Sequence, residues 1–236
     1  MKFRDRLFRS PLLVCVAAGS ITLFTGCSGE SSQFLSNATT HLSGAARGPV
    51  RPAVSENVLW SFSSIGPIVP VASVVADASG ALYGTLQQGG VKTGICYNLG
   101  GCGGVFKLTE SASKWTATII YSFTGGTDGA APVGNLYIDS SGTIYGTTVE
   151  AGSTSCGSNY GCGTVFKLIP SGSTYTESTL YDFQGGKDGA GPAAGLLPAN
   201  GVFYGTTEAG GDTAGNGTVF EVSNKGHEMV LHRFLG

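Results

Sequence analysis

The chain has 236 residues, 41% of them hydrophobic and only 12% charged, and a formal net charge of −2. That charged share is about half of what a soluble domain usually carries, and 39 glycines with 12 Phe and 9 Tyr suit short strands joined by many turns. The composition argues against a helical bundle, whose exposed faces need Lys and Glu.

In chain order, residues 1–10 carry Lys2, Arg4, Arg6 and Arg9 against one acid, Asp5, and Pro11 to Phe24 then run largely apolar. Such a run has the length of a signal-peptide apolar core and is too short to span a bilayer as a stable helix. Residues 1–26 are therefore read as an export signal and 27–56 as a Ser/Gly/Ala/Pro-rich linker. The end of the signal, Leu23-Phe24-Thr25-Gly26-Cys27-Ser28, resembles a bacterial lipoprotein signal, which implies a lipid on Cys27 and a membrane partner through it. Removing residues 1–26 leaves nine Lys and Arg against fourteen Asp and Glu, about −5. Nucleic acid is thereby disfavoured as a partner, since phosphate binding wants a basic patch.

From residue 57 the chain repeats. Val58-Leu59-Trp60-Ser61-Phe62 matches Ile119 to Phe123, Thr179 to Phe183 and Val230 to Phe234; Leu82-Tyr83-Gly84-Thr85 matches Ile144 to Thr147 and Phe203 to Thr206; Gly104-Val105-Phe106-Lys107-Leu108 matches Gly163 to Leu168 and Gly217 to Val222. Taken from one first element to the next, the repeats span about 57–118, 119–178 and 179–229, with a fourth starting at 230–236. Each unit holds four runs of strand-like composition bounded by Gly, Pro, Asn, Asp and Ser, labelled A to D. In the second unit these are about Gly134 to Ile138, Thr143 to Thr148, Gly163 to Ile169 and Tyr175 to Phe183. Four strands per unit is the content of one propeller blade.

The expected fold is all-β and β-propeller-like: three four-stranded antiparallel blades of about 60 residues plus an extra strand, because D-type runs stand at both ends, Val58 to Phe62 and Met229 to Phe234. Three blades are fewer than the four to eight that usually close a propeller. An open or truncated propeller follows, whose sheet edge pairs with another chain. The A/B turns read Asp77-Ala78-Ser79-Gly80 and Asp139-Ser140-Ser141-Gly142, but Pro198-Ala199-Asn200-Gly201 in the third copy. These Asp residues are expected to shape turns by bonding their own backbone.

Of six cysteines, Cys15 lies in the apolar run and Cys27 at the signal end, leaving Cys96/Cys102 and Cys156/Cys162 at matching places in successive repeats. Each pair brackets a short Gly/Asn/Tyr-rich segment, which predicts two local disulfides in an oxidising compartment. Zinc is disfavoured because the pairs sit a repeat apart and no His is near either. The third copy lacks both cysteines, so the bridge is optional.

These motifs carry a family resemblance. Tyr145-Gly146-Thr147-Thr148, Gly163-Thr164-Val165-Phe166-Lys167-Leu168 and Tyr121-Ser122-Phe123-Thr124-Gly125-Gly126-Thr127-Asp128-Gly129-Ala130-Ala131-Pro132 resemble the GloVer (Gloeo-Verruco) tandem repeat of bacterial surface and secreted proteins. The resemblance implies propeller-like blades and an envelope location, and no activity for the repeat as such. Copy one departs from it, with Ser64-Ile65-Gly66-Pro67 in place of the Gly-Gly-x-Asp-Gly-Ala segment.

In a four-strand meander the B/C and D/A connections lie at one end of the strands. Candidate ligand contacts on that loop face are Tyr97, Asn98, Asn159 and Tyr160 in the B/C loops, with Asp128 and Asp188 in the D/A loops. Tyr with Asn suits a glycan or protein ligand, since a ring stacks while amides hydrogen-bond. No metal site is expected, because copy one lacks the Asp and Ca²⁺ wants six to eight oxygens. No G-x-S-x-G, H-E-x-x-H or phosphate-loop motif occurs, and the glycines fall largely at repeat-fixed turns, so no cofactor is expected. The sequence thus points to a non-catalytic, lipid-anchored interaction module at the cell envelope. A carbohydrate-active enzyme or a fragment of one, and a purely structural surface repeat, are the alternatives.

Overall fold

The computed structural model describes residues 56–62, 68–212 and 215–235. The signal, Cys27 and the linker up to residue 55 lie outside the described residues. Strands follow the repeat: β1 (Val75–Ala76), β2 (Leu82–Leu86), β3 (Gly104–Ser111) and β4 (Lys114–Ser122) make the first sheet, with one helical turn, α1 (Ile95–Asn98), in its B/C loop. The second sheet holds β5 (Tyr137–Ile138), β6 (Ile144–Thr148), β7 (Thr164–Ser171) and β8 (Thr174–Asp182). The third holds β9 (Leu197–Ala199), β10 (Val202–Thr207), β11 (Thr218–Ser223) and β12 (Glu228–Arg233). All pairings between these strands are antiparallel and join neighbours in sequence. The fold is all-β and propeller-like, built of three four-stranded blades.

The blades are cut differently from the sequence repeat. A D-type run pairs with the C strand that precedes it, so Val230 to Arg233 completes the third sheet and starts no fourth unit. Val58 to Phe62, expected as an extra strand, is not in a strand. Its Trp60 and Phe62 instead pack on Leu86, Phe106 and Leu108 of the first sheet. The A strands are shorter than expected, because Gly134, expected in strand, is used between blades: its carbonyl accepts from Thr85 Oγ1 at 3.5 Å. The matching bond in the next interface runs from Thr147 Oγ1 to Ala194 O at 2.9 Å.

Alternation along the B and C strands gives each sheet two apolar faces, so the blades stack face to face. Ile144, Phe166 and Leu168 face the first sheet, in one cluster with Ala81, Tyr83, Val105 and Phe123. Tyr145 and Val165 face the third, in one cluster with Phe183, Phe203, Phe220 and Val222. One ring pair marks every interface. Phe123 meets Phe166 and Phe183 meets Phe220 edge to face, both at 5.0 Å between centroids. Phe62 meets Phe106 at the same 5.0 Å, so the N-terminal segment stands where a preceding blade would place its phenylalanine. A bulge at Val105/Phe106, Val165/Phe166 and Val219/Phe220 recurs in all three sheets.

Candidate functional site

The D/A loops are organised by their own aspartates. Asp128 is buried and accepts hydrogen bonds from the Tyr121 hydroxyl (3.0 Å), the Thr124 amide (2.8 Å) and hydroxyl (2.7 Å), and the Gly126 amide (3.2 Å). Asp188, half-buried, accepts from the Tyr181 hydroxyl at 2.8 Å and the Gln184 amide at 2.6 Å. A carboxylate fed by several donors is a cheap way to fix an irregular loop. Burial, then the adjacent aspartates, raise the Tyr121 and Tyr181 hydroxyls well above their ordinary range, so both stay protonated donors.

The B/C loops are tied by Cys96–Cys102 and Cys156–Cys162, with Cα atoms 4.7 and 5.7 Å apart. D/A and B/C loops meet. A side chain at Gly125 would strike both sulfurs of the first bridge, and one at Gly185 would strike Cys156. Across blades, the Gly152 amide donates to Gly126 O at 2.9 Å and the Gly211 amide to Gly186 O at 2.7 Å. The result is one continuous loop face. Tyr97, on α1, is 77% exposed and Tyr160 is 40% exposed; Asn98 is the last residue of α1, and Asn159, beside Tyr160, is exposed. Asp128 and Asp188 belong to the same loop face, but their oxygens already accept hydrogen bonds, from Tyr121, Thr124 and Gly126 and from Tyr181 and Gln184.

Two loop-face residues carry no motif. Glu150 and Glu208 line a cleft of about 220 Å³ between the second and third sheets, beside Cys156, Ser158 and Gly191. Burial, with Glu208 nearby, raises the Glu150 carboxyl above its ordinary value. The available signal was repeat-wise: Gln87 and Gln88 follow the first copy's B strand, where the later copies supply an acid each. A second pair joins blade to blade, with Glu228 of β12 beside Asp188. Burial and then Asp188 raise Glu228 to about 7.

At the other end of the strands lie the A/B turns. Asp77 Oδ1 accepts from the Ser79 amide and hydroxyl and from the Ala81 amide, and its Oδ2 from the Tyr83 hydroxyl at 2.8 Å. Burial acts to raise this carboxyl, but these hydrogen bonds win and hold it at about 2. Asp139 repeats the pattern with Ser141, Thr143 and Tyr145. Clefts of about 440 and 370 Å³ open between successive turns. Among the described residues no group of three or more His, Cys, Asp or Glu could hold a metal ion, and no helix is long and apolar enough to cross a membrane.

Stacked blades, short inner strands and disulfide-tied loops define a propeller-like repeat protein of the kind an oxidising compartment sustains. The chain belongs to the Gloeobacter/Verrucomicrobia repeat family, whose pattern matches residues 50–236. The solved structure of YjhT is similar at 15% identity and a TM-score of 0.38, over 72% of this chain and 54% of that one. The chain thus spans about half the length of that protein. No curated protein matches.

Proposed function

We propose that the protein is an exported, non-catalytic interaction module, held at the cell envelope by a lipid on Cys27, with the loop face as its contact surface. The observation that supports this reading is that aromatic loop tips, Tyr97 and Tyr160, are carried exposed on loops made rigid by disulfides and internal aspartates. Rigid aromatic contacts bind at low entropic cost. Glycan-array binding by the full-length chain tests the module, and any ligand whose binding is lost in Tyr160→Ala is assigned to the loop face. Metabolic labelling with palmitate, present in the wild type and absent in Cys27→Ser, tests the anchor; an unlabelled wild type removes it.

The carbohydrate-active enzyme has one observation on its side, the Glu150 and Glu208 carboxyls in one cleft with Glu150 raised. A carboxyl raised by burial beside a second carboxyl is an arrangement that glycoside hydrolysis uses. Turnover of a polysaccharide, abolished by Glu150→Gln, would establish that reading in place of the first.

A further inference from the structure

Besides its missing disulfide, the third copy departs from the other two at several points that meet in one cleft at the A/B-turn end, at the opposite end of the strands from the loop face. Between the first and second sheets, Tyr175 of β8 reaches across to Tyr83, with the hydroxyls 3.5 Å apart. Between the second and third sheets that closure is missing. The strands β11 and β12 are six residues each, against eight and nine for β7 and β8, and their hairpin turns early through Asn224 and Gly226. The pairing Leu168 with Glu177 corresponds to Val222 with Glu228, so Gly226 stands at the register of Tyr175.

The strands behind the gap are aromatic where the first interface is aliphatic. Tyr137 takes the register of Val75 and Phe203 that of Leu82 and Ile144. The A/B turn has also contracted to Asn200-Gly201, with φ of 53° and 82°, the two-residue hairpin that Asn-Gly favours.

A cleft opens between the A/B turns in both interfaces, but only the one between the second and third sheets, about 370 Å³, is lined by aromatic rings: Tyr137, Tyr145 and Phe203 stand in it with Asp139, Asn200 and Asn224, where the first cleft, about 440 Å³, is lined by turn residues such as Asp77, Ser79 and Ser141. The size of the aromatic cleft falls within the roughly 300–1,000 Å³ of small-ligand sites. The half-buried Tyr137 ring is backed by Tyr145 at 6.0 Å and Phe203 at 5.9 Å, themselves 4.5 Å apart. Around this platform, Asp139 Oδ2 accepts a single hydrogen bond among the described residues, from the Tyr145 hydroxyl at 3.2 Å. The exposed side-chain amides of Asn200 and Asn224 make no hydrogen bond among the described residues. No Lys, Arg or His lines the cleft.

We propose that this cleft binds a neutral hexopyranose unit of a glycan. The C–H face of the sugar stacks on Tyr137, and its hydroxyls donate to Asp139 Oδ2 and exchange hydrogen bonds with the amides of Asn200 and Asn224. A ring with one apolar face and an equatorial rim of hydroxyls matches an aromatic platform rimmed by amides and a carboxylate. A uronate or phosphate is repelled, because it would meet a carboxylate with no cation to offset it.

This inference rests on the reading of the protein as a binding module, and not on the loop face as its contact surface. Affinity electrophoresis of the full-length chain against cellohexaose, maltohexaose, mannohexaose and hexagalacturonate tests it. At least one neutral oligosaccharide retards the wild type and the galacturonate does not. Tyr137→Val, which installs the residue that the first sheet carries, weakens binding about tenfold while the circular dichroism of the folded sheets is retained, and Tyr160→Ala leaves it intact. Failure of all three neutral oligosaccharides to bind, or equal binding of the galacturonate, overturns the assignment. Binding that survives Tyr137→Val also overturns it, and where that binding is lost in Tyr160→Ala the loop-face module is left standing.

Discussion

Gly84, Gly146 and Gly205 each lie beneath the phenylalanine of the neighbouring C strand, so close that a Cβ would come within 2.5, 2.7 and 2.5 Å of Phe106, Phe166 and Phe220. The Leu/Ile/Phe-Tyr-Gly-Thr motif is therefore a packing requirement, since the ring needs an empty position to lie across. Gly146→Ala should destabilise the fold by about 1–3 kcal/mol, the usual cost of overpacking, read as a lowered melting temperature. Acidity acts at the same scale. Glu228 is raised above its unfolded value by burial and by Asp188, with Tyr181 and Arg233 acting the other way. The folded state then binds the proton more tightly than the unfolded chain, so stability falls as pH rises from the ordinary carboxyl range through about 7. Thermal melts between pH 4.5 and 8 should show that decline, and Glu228→Gln should flatten it; a rise over this range contradicts the assignment.

At the scale of the element, the two disulfides fasten loops that the third copy builds without one. Closing so short a segment contributes about 2 kcal/mol on the chain-entropy account, enough to order a loop and too little to define a core. A Cys156→Ser/Cys162→Ser double variant should keep the sheets and lose amide-exchange protection across residues 150–163, with 208–217 unchanged. Loss of protection in β6 and β7 would show that the bridge holds the blade itself. Cysteine spacing made these bridges legible in the sequence, because a local bridge needs only neighbours in the chain. The short A strands were not legible: Gly134 reads as strand, and only the blade beside it recruits its carbonyl for Thr85.

Across the whole molecule, one repeat position shows what stacking does. Phe123 and Phe183 are 0% exposed, each against the next blade, while the matching Phe234 is 45% exposed. Phe183→Ala should cost about 3–5 kcal/mol, and Phe234→Ala should shift the melting temperature little, although the two residues share a motif. Equal losses would mean that Phe234 is covered in solution.

Period, four strands to a blade, turn positions, blade type and disulfide pairing came from the sequence alone, because each depends on residues near one another in the chain or on a motif repeated three times. Where the blades begin, that Val58 to Phe62 packs on the first sheet without forming a strand, and that Glu150 and Glu208 share a cleft, were decided only by tertiary structure, since each depends on which blade face lies opposite. The Asn200-Gly201 turn belongs to both levels. Its conformation follows from two residues, and the aromatic cleft beside it from the way the second and third blades meet.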